Sequence, residues 1–382
     1  MEYRILGNTG LSVSVIALGC EGFVGKTEEQ VHSEMDFAIS KGINFIDMYA
    51  SNPDLRSNIG KALAERRQQF IIQGHLCTTW ENDQYLRTRD VEKTIASFED
   101  QLTRLHTDYL DIGMIHYVDS EEDFHEVFNG PIIRLALRLK EEGKIRHIGL
   151  SSHNPIVAKL AVESGLIEVL MFSINPCYDL QPPSENVDDL WADESYAHSL
   201  ENIDPEREKL YELCEQKGIG LDVMKAYGGG DLLSETNSPF GKAMTPVQCI
   251  EYALTRPAVA SVMVGCKSCD EMQAAINWCN ATKEEKDYTP IMAGMEKFSW
   301  QGHCMYCGHC APCSVGIDIA SVNKYYNLTI AQNEIPETVR EHYKTLSHHA
   351  SECIQCGQCE TNCPFGVAII EQMEKAVEKF GY

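Results

Sequence analysis

Two cysteine runs near the C-terminus constrain this chain more than any other feature. They read CMYCGHCAPC from Cys304 to Cys313 and CIQCGQCETNCP from Cys353 to Pro364. The second is C-x2-C-x2-C-x3-C-P, a spacing in which three thiolates wrap one corner of an iron–sulfur cube and the fourth is directed to another cube. The first run repeats it with the last spacer one residue shorter. Eight thiolates supply four ligands to each of two 4Fe-4S clusters. The spacing therefore predicts one cluster on Cys304, Cys307, Cys310 and Cys363 and a second on Cys353, Cys356, Cys359 and Cys313. Structural zinc is the competing reading, but it favours two separated C-x2-C pairs for each ion. A disulfide framework fits worse, because nothing in the sequence marks it for export.

This stretch resembles bacterial-type ferredoxin modules, so the residues before it are expected to give or take single electrons. With 382 residues the chain has room for one large domain and one small one. A formal charge of −25 argues against a phosphate backbone as partner, since such proteins need a basic face. From residue 300 onward nine acids face five bases, so most of the excess lies earlier and the cysteine region is not a specially acidic docking surface. There is no run of eighteen apolar residues, and the opening MEYRILGNTG lacks the regions of a signal peptide. No membrane association and a cytoplasmic location are the expectation. The other cysteines (Cys20, Cys77, Cys177, Cys214, Cys249, Cys266, Cys269 and Cys279) lack ligand spacing and read as small buried hydrophobes, with Cys266 and Cys269 a lone C-x2-C. So many thiols suggest a reducing, anaerobic cytosol.

Between residues 13 and about 280, short apolar runs alternate with helix-patterned stretches. The runs are Val13 to Leu18, Asn44 to Asp47, Phe70 to Gln73, Leu110 to Ile115, Ile145 to Leu150, Val169 to Ile174, Ile219 to Met224 and Val259 to Val264. Eight strand–helix units are the count of a (β/α)8 TIM barrel, and no G-x-G-x-x-G supports an open doubly wound sheet. Gly42, Gly143, Gly165 and Gly218 each sit where a helix should stop ahead of a strand. The predicted division is a barrel over 1–281, a linker over 282–299 and a small, mainly α-helical ferredoxin-like domain over 300–382. That domain should be helical from Ile317 to His349, with a break at Glu334 to Pro336, and again from Val367 to Phe380.

In such barrels chemistry sits at the C-terminal ends of the strands. The ends here deliver Gly19 to Glu21, Asp47, His75, His116, Ser151 to His153, Asn175, Lys225 with Gly228, Gly229 and Gly230, and Gly265 to Ser268. The turns after strands seven and eight place glycines and the lysines Lys225 and Lys267 where phosphate sites of this fold form. Ser151, Ser152, Asn175, Gly265 and Ser268 complete the candidate cofactor set. The stretch from Pro176 to Asp204 is long and irregular, with eight acids and no Lys or Arg between Glu185 and Glu206; within it Leu190 to Leu200, with Trp191 and Tyr196, reads as a lid or a packing surface for the iron–sulfur module, with a plain solvated loop as the alternative.

Taken with these strand ends, the chain resembles the aldo/keto reductase family, and within it the branch that carries a C-terminal ferredoxin-like domain. The matching stretches are YRILGNTGLS (3–12), GINFID (42–47), GKAL (60–63), LHTDYLD (105–111) leading to His116, and GKIRHIGLSS (143–152). The resemblance implies carbonyl reduction with NADPH by an Asp, a Tyr, a Lys and a His. The Tyr gives the proton, the Lys paired to the Asp lowers the phenol's pKa from about 10, and the His orients the carbonyl. Asp47 and His116 match. The Lys position falls on His75, and the Tyr position falls on Asn52, with Tyr49 as the alternative donor. The family's amide-holding Gln is replaced near Met171 and its stacking aromatic near Met224, and the Arg and Asn that grip adenosine are absent from residues 268–275. These departures weaken the case for NADP(H).

The expected function is an iron–sulfur oxidoreductase acting on a small organic carbonyl at Asp47, His75 and His116. Its electrons would pass through two 4Fe-4S clusters from a ferredoxin or flavoprotein. The alternatives are an NADPH-dependent reductase with structural clusters and an electron-carrier subunit without catalysis.

Overall fold

The structure, a computed structural model, describes residues 1–82, 84–190, 195, 200–292, 298–299, 302, 304, 306, 308–330, 335 and 337–382. Cys307, Trp191, Tyr196, Glu334 and Pro336 lie outside the described residues.

Eight parallel strands close into a barrel: β1 (Ile16–Gly19), β2 (Phe45–Met48), β3 (Ile71–Leu76), β4 (Leu110–Ile115), β5 (Ile145–Ser152), β6 (Val169–Ser173), β7 (Gly220–Met224) and β8 (Val259–Gly265), with β8 pairing back onto β1. Each falls within or beside one of the eight apolar runs. The helices around it are α1 (Glu28–Ser40), α2 (Pro53–Leu63), α3 (Val91–Arg104), α4 (Glu121–Asn129), α5 (Pro131–Glu141), α6 (Pro155–Glu163), α7 (Pro205–Lys217), α8 (Pro246–Leu254) and α9 (Cys269–Ile276). The four predicted glycine stops all adopt positive φ, from 65° to 83°, the left-handed conformation that ends a helix without a Cβ penalty.

Side chains alternate across each strand, so two apolar cores form. The larger lies between strands and helices. The smaller fills the barrel with Ala17, Phe45, Ile112, Met114, Met171 and Met263 and is closed from below by Leu6 and Val13. Those two residues belong to the N-terminal hairpin, which pairs Tyr3–Ile5 with Ser12–Ser14. Gln73, Asp47, His75, Ser151 and Asp222 share the inward parity of this core, at and just below its upper end.

After β3 the chain makes an antiparallel hairpin, Thr78–Glu81 with Gln84–Arg87. Two arginines pin it down: Arg89 donates to the carbonyls of His116 (2.9 Å) and Tyr117 (2.7 Å) and to Asp123, and Arg87 also reaches the Tyr117 carbonyl and Asp123.

The C-terminal part contributes α10 (Ile319–Ile330), α11 (Glu337–Lys344) and α12 (Ile369–Phe380). The last begins two residues later than expected, because Ala368 still has non-helical dihedrals. The stretch expected as a linker is docked in its first part: it forms the turns Lys283–Lys286 and Thr289–Met292, with Tyr288 and Met292 buried. Gln248 of α8 donates to the Asp287 carbonyl at 2.6 Å. The irregular segment after β6 starts as core, while most of the stretch read as a lid, residues 191–194 and 196–199, lies outside the described residues. Asp179 is fully buried and accepts from the hydroxyls of Tyr211 and Tyr252. Among the described residues no helix is long and apolar enough to cross a membrane.

Candidate active site and cluster cavities

Three predicted residues converge at the top of the barrel. His75 places Nε2 at 2.9 Å from Asp47 Oδ1 and Nδ1 at 2.7 Å from Nδ1 of His116. The other nitrogen of His116, Nε2, is hydrogen-bonded to the hydroxyl of Tyr85, which the hairpin brings over the barrel. All three barrel residues are buried. The resulting line is Asp47, His75, His116, Tyr85.

The phenol bonded to His116 is Tyr85, not Tyr49, and Asn52 is not bonded to it either. Asn52 is instead the N-cap of α2 and accepts the Leu55 N–H at 2.8 Å. Its preference for capping is the physical reason it stands there. Tyr49 stacks on the His116 ring (5.7 Å between centroids, 6° between planes) and meets Tyr85 edge-on at 5.9 Å. Its own hydroxyl feels Glu21, which, after burial, raises its pKa further. Tyr49 is thus a wall of the site.

Burial, reinforced by His75, pushes the His116 pKa well below the ordinary histidine value. Burial likewise raises the phenol pKa values of Tyr85 and Tyr49, so Tyr85 keeps its proton at neutral pH. One layer below, the Gln73 amide donates to Asp47 Oδ1 at 3.0 Å and to Asp222 Oδ2 at 2.9 Å. Burial raises the Asp222 pKa far above the carboxylate range, and Asp47 adds to it. That direction favours the protonated acid, which would spare the site a second negative charge. Sequence reasoning missed Tyr85, Gln73 and Asp222. The available signals were polar side chains inside the apolar strands IIQGHL and GLDVM and the hairpin alternation around residues 82–83.

The predicted dinucleotide residues do not form a matched set. The Ser151 hydroxyl is buried without a partner among the described residues, as a waiting amide contact would be. Gly229 and Gly230 have positive φ and open space where a Cβ would stand. Gly228 also has positive φ, and Gly265 is exposed. Against this, Ser152 donates to the Val118 carbonyl, and Asn175 is used up by the Lys225 carbonyl and the amides of Cys177 and Tyr178. Lys225 is mostly buried, and that burial lowers its pKa. At α9 the N-terminus is already filled: Ser268 caps it, the Lys267 amide donates to Glu271, and Asp270 and Glu271 occupy the first turn. An acid-filled helix N-terminus repels a phosphate.

The cysteines line two cavities in the cross-paired sense that the spacing predicts. One is lined by Cys313, Cys353, Cys356 and Cys359, the other by Cys304, Cys310 and Cys363. The two runs fold alike. Tyr306 and Gln355, each just before a second cysteine, have φ of 55° and 54°, and Gly308 and Gly357, just after it, have φ of 77° and 76°. These thiols fit iron–sulfur clusters in ligand type and grouping. Of the remaining cysteines, Cys20, Cys77, Cys177, Cys214, Cys249 and Cys266 are buried as expected, whereas Cys269 and Cys279 are only partly so.

Comparison with known proteins agrees with both halves. The aldo/keto reductase family matches residues 15–248, and the 4Fe-4S dicluster domain matches residues 300–367. The uncharacterized oxidoreductase YqkF of Bacillus subtilis is 28% identical over 305 residues, covering 75% of this chain and 94% of its own. Aldo-keto reductase YhdN of Bacillus subtilis is 30% identical over 161 residues, 40% of this chain and 47% of its own. Among solved structures, aldo-keto reductase AKR11C1 from Bacillus halodurans (holo form) superposes with a TM-score of 0.58 at 24% identity, over 75% of this chain and 94% of that one. A closed eight-stranded barrel, matched over more than half the chain and followed by a dicluster domain, makes this protein an oxidoreductase of the aldo/keto reductase family with a C-terminal 4Fe-4S dicluster domain.

Proposed function

We propose that the protein reduces a small organic carbonyl at the barrel mouth, with Tyr85 as the proton donor and Asp47, His75 and His116 as its proton supply. The observation that carries this is the unbroken line of hydrogen bonds from Asp47 to Tyr85. At rest each link has one donor: Tyr85 O–H donates to His116 Nε2, His116 Nδ1–H to His75 Nδ1, and His75 Nε2–H to Asp47. One added proton on His75 reverses two links, so that His75 donates to His116 and His116 to the Tyr85 oxygen. The Tyr85 hydroxyl is then turned out towards the substrate. Reduction to the alcohol takes two electrons and two protons: the Tyr85 proton passes to the carbonyl oxygen, a second proton from water goes to the carbon, and the line relaxes to the resting order. A cationic His75 paired to Asp47 thus does for Tyr85 what the family's Lys does for its Tyr.

In this reading Cys304, Cys307, Cys310 and Cys363 hold one cluster and Cys313, Cys353, Cys356 and Cys359 the other, and when bound they supply single electrons. The residues divide as barrel 1–281, connecting segment 282–299 and cluster domain 300–382. The electron donor would be a ferredoxin or flavoprotein.

The test is anaerobic: aldehyde reduction driven by reduced methyl viologen, compared with reduction driven by NADPH, after iron and sulfide analysis. Turnover with viologen and none with NADPH supports the reading. The Ser151 hydroxyl favours a second reading, in which NADPH is the reductant and the clusters are structural. NADPH-driven turnover at a rate unaffected by removing viologen establishes that one instead.

A further inference from the structure

The two cysteine runs and the helices after them form an internal repeat, so equivalent positions can be compared between the two cavities. Cys313 corresponds to Cys363, Ile319 at the start of α10 to Ile369 at the start of α12, and Asn323 to Met373. Asn323 lines the cavity that holds Cys304, Cys310 and Cys363, and Met373 lines the one that holds Cys313, Cys353, Cys356 and Cys359. Both side chains are 1% exposed. Met373 is an ordinary apolar lining. Asn323 is not: neither its Nδ2 nor its Oδ1 has a hydrogen-bond partner among the described residues.

A buried carboxamide with no partner is costly, so its place on the wall of a cysteine-lined cavity calls for an occupant. A cluster offers sulfur acceptors and no donors. The amide therefore meets it through its NH2 group. Hydrogen bonds to cluster sulfurs favour the more negative, reduced state and so raise the reduction potential.

We propose that Asn323 sets the potential of the cluster held by Cys304, Cys307, Cys310 and Cys363 above that of its repeat mate, making it the site that is reduced first. Asn323 is a positioning residue in this role, since it supplies no ligand. The inference rests on the two-cluster reading above but on no part of the carbonyl chemistry.

The experiment is a dye-mediated potentiometric titration of the full-length, iron-replete protein, followed by electron paramagnetic resonance, with no substrate present. Wild type should show two midpoints. Asn323→Met should move the higher one down towards the lower. The expected size is about tenfold in the reduced-to-oxidised ratio at fixed potential, which is about 59 mV for a one-electron couple. Met373→Asn should move the lower one up. If either variant keeps its iron and leaves both midpoints in place, the proposal is overturned. Should Asn323→Met lose iron, Met373→Asn decides it, as the reciprocal gain does not depend on the first variant folding. Wild-type protein with iron for one cluster or none sinks the two-cluster reading itself, an outcome distinct from unmoved midpoints.

Discussion

Replacing Tyr85 by Phe removes one oxygen and leaves the ring. The edge contacts of that ring with Tyr49 (5.9 Å) and His116 (5.6 Å) can persist, so the variant isolates the hydroxyl. A positioned general acid contributes about 10²–10⁴ in rate, or about 3–5 kcal/mol of barrier. Tyr85 is half-buried, which lets water stand in for the lost hydroxyl beside His116, so the lower half of that range is expected. We expect kcat/KM to fall by about 10²–10³, with stability reduced by about 1 kcal/mol for one lost hydrogen bond. Because the four residues act in series, Tyr85→Phe combined with His75→Gln should be barely worse than the poorer single variant. Tyr49→Phe, which removes a hydroxyl outside the hydrogen-bonded line, should cost less than about tenfold. The assay is anaerobic single-turnover reduction of an aldehyde with the iron content of each variant matched. A Tyr85→Phe enzyme within threefold of wild type, or a double variant whose losses multiply, refutes the relay.

Three further outcomes are expected. Glu212 on α7 is buried beside Glu208 and its pKa is pushed up to about 8. The folded state then holds a proton that the unfolded chain releases near pH 4.3, so stability should fall as pH rises between those values and level off above about 8. Glu212→Gln should remove that slope and gain on the order of 2–5 kcal/mol above pH 8 in urea unfolding, with no gain near pH 4. His116 titrates below its unfolded value in the folded protein. The unfolded chain therefore binds more protons below about pH 6.5, stability falls as pH drops from there, and His116→Gln should flatten the acid limb of the same curve. A Cβ on Gly60 would stand 1.9 Å from the Arg104 carbonyl oxygen. Gly60→Ala should thus force α2 away from α3 and lower the thermal midpoint, at about 1–3 kcal/mol, and an unchanged midpoint would show that the helices yield without cost.

The barrel was legible because its strands are buried on both faces and therefore read as continuous apolar runs, separated by glycines that only a helix stop requires. The cysteines were legible because ligand geometry fixes their spacing. Asp47, His75 and His116 were legible as strand ends. Tyr85 was not, since nothing local distinguishes a phenol that reaches a catalytic histidine from one on any polar hairpin; only the clamp of Arg87 and Arg89 on Tyr117 and Asp123 aims it. Asn52 was ambiguous for a related reason. Counting residues back from a helix locates its cap as readily as a catalytic position, and capping was the stronger local preference. Asn323 looked like any helix residue until its repeat partner gave it a standard of comparison.

The hairpin over the barrel mouth divides the proton line into two parts of different rigidity. Asp47, His75 and His116 stand on or directly after closed barrel strands, whereas Tyr85 rides on a two-stranded flap. Any lifting of that flap opens the Tyr85–His116 link and leaves the other two intact, like a switch at the end of an insulated conductor. In the proposed relay, the proton is then cut off from Tyr85. On the proposed function, a substrate that seats the flap closes the circuit, so the chain spends its proton on the bound carbonyl and wastes little of it on solvent.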